Sequence, residues 1–104
     1  MKREELLQRV KQAVHQVEPE ADIILYGSRA RGDAQAESDW DFLILLDGVV
    51  DDARTDAVRY RLYEIEWESG EVLCSIVRSR QEWDSPWHQA TPLAKSVLAQ
   101  GIPL

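Results

Sequence analysis

The chain has a single cysteine, Cys74, so no disulfide can form within it. A lone thiol inside an apolar run fits a reducing, cytoplasmic setting and excludes the disulfide-framed secreted folds. Long apolar spans are lacking as well. The first stretch, MKREELLQRVKQAVHQVE, is broken by charge every few residues and has no h-region, so neither a signal peptide nor a membrane anchor is expected. Basic residues are scarce, with 12 Lys and Arg against 19 Asp and Glu and a formal net charge of -7. Such a surface repels phosphate backbones and anionic lipid, so direct nucleic-acid or membrane binding is not expected. Solubility is the plain use of that charge, and a basic protein partner is the more specific one. Repeats, low-complexity tracts and linkers are missing, and 104 residues give room for one domain, 1–104, with one modest core and no second lobe. If the chain is an enzyme, a partner can supply part of its site.

What is present reads as a small α/β arrangement. Leu6, Val10, Val14 and Val17 recur at helical spacing up to the break at Pro19. Ile23 to Tyr26 form a short buried strand that stops at Gly27. Phe42 to Leu46, within DWDFLILLDG, form the strongest strand, closed by Asp47-Gly48. SRARGDAQAES between them suits one helical turn and a loop. Val58, Leu62 and Ile65 predict a helix over about Asp52 to Ser69, ended by Gly70, and EVLCSIVRS predicts a third strand. Thr91 can cap a last helix with Pro92 at its first position and Gly101 at its close. The expected order is helix, strand, turn, strand, helix, strand, helix, with helices covering a short sheet.

The chemistry concentrates in GSRARGDAQAESDWDF, residues 27 to 42. In a strand, Asp39 and Asp41 point the same way while Trp40 and Phe42 point to the other side. Two adjacent carboxylates repel one another unless one keeps a proton or a cation lies between them. Mg²⁺ is usually held by one or two carboxylates together with substrate phosphates, so the pair reads as a metal-phosphate site. Gly27 and Ser28 directly follow a strand, where Gly lets a phosphate approach the backbone and Ser adds a hydroxyl beside exposed N–H groups. One of Arg29 and Arg31 can steady a polyphosphate while the other faces solvent or pairs with Asp33 or Glu37.

Gly27-Ser28, Arg31-Gly32 and Ser38-Asp39-Trp40-Asp41 together closely resemble the defining motif of the DNA polymerase β-like nucleotidyltransferases, and specifically the minimal nucleotidyltransferases of prokaryotes. The likeness is dense over residues 23 to 46 and extends loosely to the closing GIPL. It implies a small nucleotidyltransferase fold, a short mixed sheet with the site on its edge, and Mg²⁺-dependent transfer of a nucleoside monophosphate from a nucleoside triphosphate. Carried over, Asp39 and Asp41 are the catalytic and metal-holding pair, and Gly27, Ser28 and Arg31 are the nucleotide contacts, with ATP the expected nucleotide. It also implies pairing with a HEPN-type toxin, which some relatives adenylylate. A protein acceptor suits a chain without a second domain or a basic groove, whereas a small-molecule acceptor would lack a second domain to bind it. The rival reading is a non-catalytic antitoxin that covers a basic toxin. Self-association is left open.

The family's third carboxylate has no counterpart in the middle of EVLCSIV, where Cys74 or Ser75 stands. Glu71 shares the strand parity of Ser75 but lies about 13 Å along the strand at roughly 3.3 Å per residue, so an exposed acid at a strand edge is the expected role. Cys74 is expected to point away from the site if Ser75 points toward it. His15 and His88 read as surface or capping residues. Trp83 and Trp87, four apart, are expected to share one helical face, packing in the core or binding a partner, and Trp40 is expected beneath the sheet.

Overall fold

In the computed structural model, which describes residues 1–104, the chain runs α1 (Arg3–Val17), β1 (Asp22–Tyr26), α2 (Ser28–Arg31), β2 (Trp40–Leu46), α3 (Asp52–Ser69), β3 (Leu73–Ser79), α4 (Arg80–Trp83), α5 (Pro86–Gln89), α6 (Pro92–Gln100) and β4 (Ile102–Pro103). The strands form one mixed sheet in the order β3-β2-β1-β4. β1 is antiparallel to β2 and to β4, whereas β2 and β3 run parallel. A parallel pair needs a crossover, and α3 supplies it. The expected α/β class, a short mixed sheet covered by helices, is the one observed.

β2 is flanked on both sides and covered on both faces, which is why it reads as an unbroken apolar run. Its even-numbered side chains, Trp40, Phe42, Ile44 and Leu46, pack with β1 residues Ile23 and Leu25 against α1 and α3. Its odd-numbered Leu43 and Leu45 pack against Trp83, Ala94 and Val97 on the opposite face. Parity therefore puts Asp41, at the head of β2, on the face shared with α4 to α6.

α1 buries Leu6, Val10, Ala13 and Val14 as one stripe, with Glu4 and Glu5 in its first turn where negative charge favours the helix dipole. α3 starts where the Asp51 side chain accepts the Arg54 amide at 2.9 Å and ends at Gly70, whose left-handed φ of 73° a Cβ would disfavour. Val58, Leu62 and Ile65 are its buried residues, as their spacing predicts.

Beyond β3 the structure departs from the sequence expectation. Trp83 and Trp87 do not share a helix, because Ser85 caps a new turn with Pro86 at its first position, and proline cannot continue a helix that precedes it. Trp83 is buried, and Trp87 is 83% exposed. The last helix follows the expectation, with the Thr91 hydroxyl accepting the Ala94 amide at 3.2 Å. Gly101 meets a close approach: a Cβ there would lie 2.5 Å from the Val97 carbonyl oxygen and 2.8 Å from Ile24 Cγ2. That fit delivers Ile102 and Pro103 to the edge of β1 as an unexpected fourth strand, and the Leu104 amide donates to the Ile23 carbonyl at 2.9 Å. Pro103, without an N–H, is tolerated because β4 is an edge.

Candidate active site

Two strand registers build the site. The antiparallel pairing of β1 with β2 sets Tyr26 opposite Asp41, and the parallel pairing of β2 with β3 sets Cys74 beside Asp41. Asp39, just ahead of β2, accepts a hydrogen bond from the Cys74 thiol, Sγ to Oδ2 at 3.6 Å. Asp39, Asp41, Cys74 and Tyr26 thus gather at one end of the sheet, at the ends of its strands and not along an outer strand. Cys74 faces the carboxylates, contrary to the sequence expectation, because its register partner is Asp41, while Ser75 pairs with Phe42.

Gly27 closes β1 with a φ of 74°, and a Cβ built on it would strike the Asp41 carboxylate oxygen. The glycine makes room for this carboxylate, a role that the sequence expectation did not include. The Ala30 and Arg31 amides both return to the Gly27 carbonyl at 3.0 Å, so the helical pattern of α2 leaves over the amides of Ser28 and Arg29.

Burial, and then the neighbouring Asp39 charge, raise the pKa of Asp41 above the ordinary carboxylate value, while the Arg31 charge acts in the opposite direction. Burial and the charges of Asp41 and Cys74 raise that of Tyr26. Cys74 is raised by burial first and then by the Asp39 charge and hydrogen bond, so it stays a thiol beside these acids.

The two arginines separate cleanly. Arg29 donates from Nε and Nη2 to the Ser38 carbonyl at 3.3 and 2.9 Å, reaches the Ala36 carbonyl at 3.2 Å, and lies 4.5 Å from the centre of the Trp40 ring. It pins the loop that delivers Asp39. Arg31 is the arginine whose charge reaches Asp41, and its Nε donates to Asp33 at 3.1 Å on the surface. Glu71 precedes β3, accepts from Trp40 Nε1 at 3.2 Å and pairs with Arg29 at 3.7 Å, so it is a half-buried, paired acid and not the exposed one expected. Trp40 is buried beneath the sheet. His15 hydrogen-bonds the Ala21 carbonyl at 3.0 Å, and His88 bonds Ser85 Oγ at 3.1 Å.

Tyr26 is the site residue that local reading missed, and Cys74 is the one of the two candidates, Cys74 and Ser75, that the register sets beside Asp41. Both places follow from strand register, and for Tyr26 the local hint was its position at the end of an apolar run that stops at Gly27. Chemically, two carboxylates side by side can hold a hard divalent cation, and free amides at a helix start beside them can receive phosphate oxygens. No group of three or more His, Cys, Asp or Glu side chains is placed to hold a metal by itself.

A family model described as a nucleotidyltransferase domain matches residues 4–95. Among solved structures, a crystal structure of a toxin-antitoxin with AMP-PNP is similar over 92% of this chain and 69% of that one, with a TM-score of 0.66 and 18% sequence identity. At that identity the likeness speaks for the fold alone. No curated protein matches the sequence.

Proposed function

Because the chain belongs to the nucleotidyltransferase domain family, we propose that it binds ATP with Mg²⁺ and transfers AMP to a hydroxyl group of a protein partner, as the antitoxin of a HEPN-type toxin. The observation that carries the reading is the pair Asp39 and Asp41 on one face beside the Gly27 turn and the free amides of α2. The toxin-antitoxin description of the similar structure supports the partner class.

The donor set fits the cation. Two carboxylate oxygens suit Mg²⁺, which takes its other ligands from phosphates and water, and Asp41, whose pKa is raised first by burial and then by the Asp39 charge, carries a desolvation and a repulsion that a cation would relieve. Asp39 and Asp41 would hold the ion, whose chemistry is to neutralise charge on the triphosphate. The Ser28 and Arg29 amides, the Ser28 hydroxyl and Arg31 bind and orient the phosphates. Gly27 keeps Asp41 seated against the turn, and Arg29 holds the loop before Asp39 in place. Catalysis in this reading is positioning and electrostatics.

A second reading, a binding-only antitoxin, is favoured by one specific observation. The strand position beside Asp41, where the resemblance leads one to expect a third acid, holds Cys74. The experiment is the intact mass of the protein encoded by the adjoining gene after incubation with this chain, ATP and Mg²⁺, beside an Asp39→Asn, Asp41→Asn double variant. Added AMP that disappears in the double variant is the expected result. An unchanged mass in a complex that nevertheless forms hands the function to the binding-only reading.

A further inference from the structure

We infer that the outward face of α3 is the interface of a two-fold dimer, and that its occupant is a second copy of this chain whose α3 lies antiparallel against the first. The inference needs only the fold and stands apart from the proposed transfer. α3 turns Val58, Leu62 and Ile65 into the core. At about 100° per residue its outer side carries Tyr60, Tyr63 and Trp67 as one stripe, all solvent-exposed, Trp67 at 90%. Aromatic side chains gathered in water mark a contact surface, since rings of this kind anchor protein interfaces.

The charges beside the stripe decide what covers it. Glu64 pairs with Arg61 at 3.5 Å and Glu68 with Arg9 at 2.7 Å. Glu66 meets no cation and accepts the Leu73 amide at 3.0 Å, and Arg59 takes part in no ion pair. The last turn of α3 holds no basic residue, so its acids stand at the negative end of the helix dipole without a cation from their own turn.

A two-fold axis at Tyr63 answers both charges. Arg59 lies four residues before Tyr63 and Glu66 three after it, about 6 and 4.5 Å along the helix at 1.5 Å per residue. Both are on the flank toward β3, where with Tyr63 they line a groove of about 290 Å³. An antiparallel second copy therefore sets Arg59 of one chain beside Glu66 of the other, twice. On the opposite flank the same operation sets Tyr60, three residues before the axis, beside Trp67 of the second copy, four after it, and Tyr63 meets its own image. The patch is complementary to itself, which an isologous interface requires. Aromatic pairs and charge-assisted hydrogen bonds supply the contact. A basic partner fits this face less well, because it would oppose Arg59 with like charge. Asp41 lies on the other face of the sheet, the one shared with α4 and α6, so the dimer leaves both candidate active sites open.

Sedimentation equilibrium over a dilution series tests the wild-type chain beside Arg59→Glu, Glu66→Arg, Trp67→Ala and, on the exposed face of α6, Leu98→Ala. Wild type is expected at twice the mass of one chain, and each α3 variant to dimerise at least about tenfold more weakly. An equimolar mixture of Arg59→Glu with Glu66→Arg forms a mixed dimer, because every like-charged pair becomes an opposite one, and that recovery separates a lost contact from a lost fold. Leu98→Ala dimerises like wild type. If Glu66→Arg does not fold, Arg59→Glu and Trp67→Ala decide the matter. A wild type that stays at the mass of one chain overturns the inference, as does a dimer that survives both Arg59→Glu and Trp67→Ala, a folded pair of charge variants that fails to mix, or a dimer lost in Leu98→Ala. A monomeric wild type that binds the adjoining gene's product, and loses it in Arg59→Glu, likewise overturns it and gives the face to that partner.

Discussion

Gly27 and Gly32 bracket α2, both with positive φ, at 74° and 85°, yet they differ in what a side chain would meet. A Cβ at Gly32 has nothing within 4 Å, whereas one at Gly27 collides with the Asp41 carboxylate. Alanine at Gly32 bears the left-handed backbone cost of about 1–2 kcal/mol, and alanine at Gly27, whose φ of 74° and ψ of -159° lie in a region essentially kept for glycine, about 1–3 kcal/mol, but only Gly27→Ala also displaces a site carboxylate. Both variants are therefore expected to melt a few degrees lower, while only Gly27→Ala loses binding of Mg²⁺ and the ATP analogue, by about tenfold or more. Melting curves with a nucleotide titration read the two effects apart, and equal nucleotide loss in both would remove the role given to the collision. Cys74 yields a prediction of gain. An acid in its place lies beside Asp41 in the register, so Cys74→Asp builds a three-carboxylate set that includes a base for the attacking hydroxyl. Transfer is expected to rise by about a hundredfold with Mg²⁺, and the chain to be less stable in EDTA, where a third negative charge stands uncompensated. Cys74→Ser should do neither. A Cys74→Asp protein that folds, binds nucleotide and transfers no faster would show that the thiol is not what limits the rate.

Between elements, Arg54 ties together the end of α1, the turn after β2 and the start of α3. Its guanidinium holds Glu18 with two hydrogen bonds of 2.9 and 2.7 Å and donates to the carbonyls of Asp47 at 2.7 Å and Val49 at 2.9 Å. The Arg54 hydrogen bonds hold the Glu18 pKa below the usual glutamate value against the opposing effect of burial. A carboxylate whose folded-state pKa is lowered adds stability above its unfolded value, and that contribution disappears as pH falls through the folded value. Glu18→Gln is thus expected to cost about 1 kcal/mol at pH 7 and progressively less below about pH 4. Melting curves across that range check it, and a cost that does not change with pH would point to packing instead of charge. Such tertiary clamps mark where local reading stops. β2 was legible because burial on both faces demands a continuous apolar run, and α3 because Val58, Leu62 and Ile65 repeat at helical spacing before a glycine that can turn left-handed. β4 was not, because two residues carry no periodicity and their strand exists only through the close seat of Gly101 on Ile24. The split of α4 from α5 was signalled by Ser85-Pro86, a cap and a breaker that the even spacing of Trp83 and Trp87 obscured. Within the site, Asp39, Asp41, Gly27 and Ser28 form one contiguous motif and could be read directly. Cys74 and Tyr26 enter through registers that no short stretch encodes.

At the scale of the whole molecule, a net charge of -7 is spread over a body of 37 × 29 × 18 Å. At 0.01 M salt the screening length is about 30 Å, so an approaching molecule feels nearly the entire charge; at 0.15 M it is about 8 Å and only nearby groups count. The two expected ligands have opposite signs, and salt should move their association in opposite directions. Mg²⁺-ATP is still anionic and is repelled at long range, with Arg31 attracting it only once it is close to Asp41. Its association rate should rise as salt increases from 0.01 to 0.15 M. A basic partner is steered in by the same field, so its association rate should fall by about tenfold over that interval, with the dissociation rate nearly constant. Stopped-flow binding of the fluorescent nucleotide and of the adjoining gene's product, each across a salt series with Mg²⁺ held saturating, measures both slopes. A partner whose association quickens with salt is acidic in its docking face, and one whose association does not change is neutral there. The negative surface would then serve solubility alone, and partner choice would rest on contacts other than charge.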